Sequence, residues 1–153
     1  METLTAINGT NNARIVINKV LYTGKVRVTG GRDDGAAKSE DERLNVNLSS
    51  PGGPGTGTNP EQLFAAGWSA CFISAMRHNA SALQIPLPAD TAINAEVDLG
   101  TAEGGFYLQA RLNVSLPGLT VEQAKTVVDA AHQTCPYSTA TRGNINVSIN
   151  VAV

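Results

Sequence analysis

The chain of 153 residues carries a net charge of −2, and only 16% of its residues are charged. That length suits one domain with a single sizeable core, and the charge leaves no basic footprint for nucleic acid. The first residues lack the basic-then-apolar layout of a signal peptide, and nothing polybasic points to a membrane surface. A cytoplasmic protein is therefore expected, in which two cysteines are inert core residues or a redox pair.

Residues 1–13 read as a polar, mobile tail, and residues 14–153 as one domain. Residues 16–29 are strand-like, with Val26 and Val28 alternating against Lys25 and Arg27. GGRDDG, residues 30–35, is a turn by composition and leads to a second strand, clearest at Leu44, Val46 and Leu48. SSPGGPGTGT, residues 49–58, is too rich in Gly and Pro for a regular element and forms a loop.

The next stretch, LFAAGWSACFISAM over residues 63–76, has Ser69 and Ser74 as its only polar side chains. A run that is apolar all round, yet short of the roughly 20 residues of a bilayer span, predicts a buried central helix. Thr58 or Asn59 is placed to cap it, Pro60 suits its first position, and Glu61 or Gln62 can complete a capping box. Arg77 and His78 are expected to close it. Ala65, Ala66, Gly67, Ala70 and Ala75 let other backbone approach, and Cys71 lies in the middle.

Residues 86–90, PLPAD, mark a break. Ile93, Ala95, Val97 and Leu99, then Phe106, Leu108, Ala110, Leu112, Val114 and Leu116, alternate with polar residues around TAEGG and predict a hairpin. Thr120 with Gln123 starts a second helix, whose apolar stripe of Val121, Ala124, Val128 and Ala131 continues to Cys135, where Pro136 stops it. Ile145, Val147, Ile149 and Val151 form a closing strand. The order is that of an α+β protein, with antiparallel sheet expected.

A free thiol ionises near pH 8.5, so a reactive cysteine needs a helix N-terminus or a nearby cation. Cys71 lies about three turns inside its helix, where the end effect has faded, so its cation must come from elsewhere. Cys135 sits at the negative end of a helix, a poor place for a thiolate. Cys71 is thus the better nucleophile and Cys135 its partner, provided the two helices cross with Cα atoms within about 7 Å. The plain alternative is that a cysteine in an Ala-rich helix is a small core hydrophobe. GWSAC lacks the last glycine of a nucleophile elbow, and His78 and His132 have no ligand spacing with the cysteines, so no metal is expected.

Three strings carry more. TNPEQLFAAGWSACF (residues 58–72), AAHQTCPYSTATRGN (residues 130–144) and TGGRDDG (residues 29–35) closely resemble the organic hydroperoxide resistance proteins, within the osmotically inducible protein C superfamily. The resemblance runs in order from Val20 to the C-terminus, and CPYS with NPEQLF favours this branch over its sister. It implies antiparallel sheets packed around a buried central helix in an intertwined homodimer. It also implies a thiol peroxidase that reduces alkyl and lipid hydroperoxides to alcohols. By motif position, Cys71 would be the peroxidatic and Cys135 the resolving cysteine, with Arg32 activating the thiolate and Glu61 orienting Arg32. A Cys71 sulfenic acid and a Cys71–Cys135 disulfide would follow. No bound cofactor is implied, and lipoyl dithiols on a lipoylated protein would be the external reductant. Trp68 stands where Tyr is frequent, and the loop before Thr58 is shorter than usual, which bears on the position of Arg32. Because helical side chains lean toward the N-terminus, the Cys71 thiol is expected over Gly67 and Trp68, with Phe64, Gly67 and Trp68 lining an apolar substrate pocket. The competing class of function is a non-catalytic binder of small ligands or oxidised lipid, with Cys71 an inert wall residue.

Overall fold

The computed structural model describes residues 15–153, so the tail expected over residues 1–13 lies outside the described residues. Residues 16–29 do not form one long strand. Only Val26–Thr29 (β1) pairs, antiparallel to Ala36–Ser39 (β2), which pairs in turn with Asn45–Asn47 (β3). β2 is invisible in the sequence because AAKS has no β-branched residue to mark it. The turn between β1 and β2 requires glycine: Gly30 has φ +71°, and a Cβ there would lie 2.4 Å from the Asp34 carbonyl oxygen. This turn carries Arg32. Ser50 donates a hydrogen bond to Asp33 at 2.5 Å, which ties the Gly- and Pro-rich loop to the same turn.

Pro60–Ala82 (α1) is one unbroken helix. The Asn59 side chain caps it by accepting from the Gln62 N–H at 2.9 Å, and Pro60 takes the first turn. No capping box closes, because the Gln62 side chain accepts the Thr58 hydroxyl at 2.8 Å. Arg77 and His78 do not end the helix; both are exposed, and charge on a solvated face leaves the backbone ladder intact. The end lies at a Schellman arrangement, with the Ile85 N–H on the Ala80 carbonyl at 2.9 Å and the Gln84 N–H on the Ser81 carbonyl at 3.2 Å. Gln84 holds φ +56° there, where glycine is the usual marker.

Within one chain α1 is not covered on every side, as its composition suggested. Trp68, Phe72, Met76 and Ala80 form a buried stripe at four-residue spacing, whereas Ala66, Ala70 and Ser74 are exposed. The N-terminal sheet makes no extended contact with α1, and among the described residues nothing closes that face.

Ala92–Ala102 (β4) and Gly105–Ser115 (β5) form the expected hairpin, with Ile93 opposite Val114 and Val97 opposite Ala110. Asn146–Ala152 (β6) pairs with β5 in parallel, Leu112 beside Ile149, which corrects the expectation of antiparallel sheet throughout. Alternation identifies a buried face and is silent on direction. A parallel neighbour needs a long crossover, supplied here by Val121–Thr134 (α2) and Pro136–Thr141 (α3). Ala110, Leu112, Val114 and Leu116 pack with the α1 stripe and with Ala124, Val127, Val128 and Ala131 of α2 in one core. The outward face of the same sheet is polar, with Arg111 forked onto the Asp98 carboxylate at 2.7 and 2.9 Å.

Phe72 is fully buried at the centre of that core. Phe72→Ala is expected to cost about 3–5 kcal/mol, a transfer term plus an unfilled cavity. In urea this reads as a lower midpoint at an unchanged slope; a loss under about 1 kcal/mol would show that the core collapses around the gap. Among the described residues, no helix is long and apolar enough to cross a membrane.

Candidate active site

Pro136 ends α2 and begins α3 in one step, so Cys135 is the C-cap of the first and the N-cap of the second. The short helix α3 is not expected from the sequence pattern, in which Pro136 is only a stop. Proline lacks the N–H that a helix interior needs but fits a first turn, and both roles apply here. At this corner Cys135 Sγ stands 3.5 Å from Cys71 Sγ. Both are free thiols; Cys71 is partly exposed and Cys135 fully buried. A solute can therefore meet only the first. Closing 3.5 Å to a disulfide bond length takes a movement of about 1.5 Å.

Burial pushes the Cys71 thiol above its ordinary value, and the adjacent Cys135 sulfur adds to this. The backbone N–H of Tyr137 pulls in the opposite direction by hydrogen bonding to the thiol. Among the described residues, no cation of this chain joins them. Arg32 lies instead beside the start of α1, where its Nη2 reaches the two Glu61 carboxylate oxygens at 3.1 and 2.9 Å. That pair rims an open cleft of about 520 Å³ whose lining includes Ala65, Ala95, Val97 and Leu99. Positions 61 and 71 of the unbroken helix are separated by about 15 Å along the axis and turned roughly 80° apart. One chain thus brings Arg32 to Glu61 and Cys135 to Cys71, and keeps the two pairs apart.

The apolar wall expected from Phe64, Gly67 and Trp68 is built differently. Trp68 is 0% exposed and faces the core, with its indole Nε1–H donating to the buried Ser138 Oγ at 3.2 Å. The space over Gly67 is filled by the Tyr137 phenol: a Cβ at position 67 would lie 2.8 Å from its oxygen. Phe64, two turns before Cys71 and so on nearly the same face, stands edge-on to Tyr137 with ring centroids 6.1 Å apart. Tyr137 is the residue that the structure adds to this wall and that the sequence pattern does not point to. It lies within CPYS, so the signal was present, but its direction depended on α3. Among the described residues, no group of three His, Cys, Asp or Glu side chains gathers as a metal site would require.

A reachable cysteine in contact with an enclosed one, at the crossing of a central helix and a helix corner, marks a two-cysteine protein of the α+β class. Residues 52–150 match the family model described as OsmC-like protein. The chain is 48% identical over 138 residues to an organic hydroperoxide resistance protein of Xanthomonas axonopodis pv. citri (strain 306), covering 88% of this chain and 96% of that protein. It is similar to the crystal structure of an organic hydroperoxide resistance protein from Legionella pneumophila, with a TM-score of 0.81 and 45% identity over 88% of this chain and 100% of that one. The structure of OhrB of Bacillus subtilis gives a TM-score of 0.81 at 42% identity, over 87% and 100%. The chain belongs to the OsmC-like family, in the branch of the organic hydroperoxide resistance proteins, and shares their α+β fold.

Proposed function

We propose that this protein is a cysteine-based peroxidase that reduces organic hydroperoxides to alcohols. The observation that carries the reading is the sulfur pair at 3.5 Å with one member exposed and the other enclosed. The Cys71 thiolate attacks the distal peroxide oxygen and the O–O bond breaks. The alkoxide takes a proton and leaves as the alcohol, and Cys71 becomes a sulfenic acid. The Cys135 thiol then attacks that sulfur and gives up its proton, and the hydroxyl departs as water, leaving a Cys71–Cys135 disulfide. Reduction returns two electrons from an external dithiol, for which a lipoyl group on a partner protein is the proposed source. Its attack falls on Cys71, the sulfur that solvent reaches. Purified protein with a dithiol and cumene hydroperoxide should consume peroxide over many turnovers; a binding protein of the same fold would leave it untouched.

In this reading each site is assembled across a homodimer, with Arg32 and Glu61 of one copy facing Cys71 of the other. The separation of the two pairs supports it, as does the uncovered stripe of Ala66, Ala70 and Ser74 on α1. The segment before β1 points the same way: Leu21 is 88% and Tyr22 81% exposed, with Ile15, Val16 and Ile17 exposed beside them. So much exposed apolar side chain on one segment supports an interface between copies.

Phe64 and Tyr137 on one side, and the Val97 and Leu99 strip beside Arg32 on the other, would then enclose the peroxide in apolar surface. Burying a phenyl-bearing tail there should raise kcat/KM for cumene hydroperoxide at least roughly tenfold above that for hydrogen peroxide. Comparable values for the two would remove the apolar wall from the mechanism.

A further inference from the structure

We propose that the buried Trp68–Ser138 hydrogen bond is a positioning device that holds Cys135 against Cys71 for disulfide formation. This rests on the pairing of the two thiols proposed above. Trp68 lies three residues before Cys71 on α1, and Ser138 three residues after Cys135 on α3. The two rungs, Nε1 to Oγ at 3.2 Å and Sγ to Sγ at 3.5 Å, therefore sit about one helical turn apart between the same two elements. Trp68 and Ser138 are both 0% exposed, so bulk water reaches neither partner. A buried donor left without its acceptor is costly, which makes this a strong constraint on where α3 lies.

α3 depends on such a constraint. It has six residues, no side-chain hydrogen bond caps its start, and a helix this short has little stability of its own. The Tyr137 phenol seated over Gly67 and the Phe64 edge against Tyr137 dock the same turn. On the other side of Cys135, Asn79 Nδ2 donates to Thr134 Oγ1 at 2.8 Å and fixes the end of α2. The corner bearing Cys135 is thus tied to α1 both before and after the thiol. How often the sulfurs close the remaining distance depends on how narrowly that corner is held.

The test is the equilibrium of the full-length protein with oxidised and reduced dithiothreitol, read by alkylation and mass spectrometry. In the exchange the two protein thiols lose two electrons and two protons to the oxidised reagent, forming the Cys71–Cys135 disulfide and the reduced reagent. Ser138→Ala and Trp68→Phe are expected to shift the equilibrium about tenfold toward the protein dithiol, raising the potential by about 30 mV. Trp68→Tyr, which keeps an O–H donor on a large ring, should fall closer to wild type. A purely structural bond would destabilise both redox forms alike and leave the equilibrium where it was. An unchanged constant in folded Ser138→Ala overturns the inference, as do equal shifts in Trp68→Tyr and Trp68→Phe. If Trp68→Phe does not fold, Ser138→Ala decides alone, since it removes one oxygen from a native-sized side chain. A wild-type chain that forms no disulfide at any ratio overturns the thiol pairing itself, a separate and recognisable failure.

Discussion

Cys71→Ser protein should consume no organic hydroperoxide, whereas Cys135→Ser protein should consume about one equivalent per chain and then stop. The difference follows from burial. Cys71 is the sulfur a solute can touch, and Cys135, enclosed 3.5 Å behind it, can act only on what Cys71 has become. On the proposed roles, losing the first thiol removes the nucleophile, and steady-state turnover should fall by more than about a thousandfold, to the level of an unpositioned thiol or none. Removing the second leaves the sulfenic acid with no partner in reach. With peroxide limiting, it should be seen by mass as one added oxygen on the peptide of Cys71; only excess peroxide takes it on, slowly and with a second equivalent, to the sulfinic acid. Stopped-flow single turnovers check the assignment: equal first-turnover rates in both variants would reverse or dissolve the two roles.

Mixing two dead variants should restore activity. Cys71→Ser chains keep Arg32 and Glu61, and Glu61→Ala chains keep Cys71 and Cys135. Refolded together in equal amounts, about half of the dimers should be mixed, each with one complete site, so that about a quarter of the wild-type sites return. The physical ground is the continuity of α1 from Pro60 to Ala82, which holds Glu61 and Cys71 too far apart for one carboxylate to orient an arginine beside its own thiol. Each variant refolded alone serves as the baseline. Activity no higher than that baseline, with mixed dimers demonstrated by native mass spectrometry, would mean that each site is built within one chain.

The sequence carried the parts of this protein that depend on local chemistry. Of the two candidate caps Thr58 and Asn59 it is Asn59 that starts α1, with Pro60 at the expected first position, because capping needs only neighbouring atoms. The β4–β5 hairpin is present because its alternation and TAEGG turn are local as well. The strings around Arg32, Glu61, Cys71 and Cys135 were enough to place the chain among the organic hydroperoxide resistance proteins. The depth of Cys71 in α1, beyond the reach of the helix end's field, was readable as well, since it follows from counting residues.

Tertiary structure decided whatever depended on which surface meets which. The antiparallel direction expected of β6 fails because a period of two marks a face and is the same for either orientation of the chain. Side-chain direction along a helix is local and points Trp68 to the substrate wall, but which side is core depends on where α2 and the second sheet pack. α3 could not be seen, since six residues after a proline have no periodicity to detect, and with it went the place of Tyr137 over Gly67 and of Ser138 under Trp68. The sulfur–sulfur distance is the clearest case. Residues 71 and 135 were known as the only cysteines, but the 3.5 Å between their sulfurs comes from a helix crossing and a proline corner that no pattern within either segment specifies.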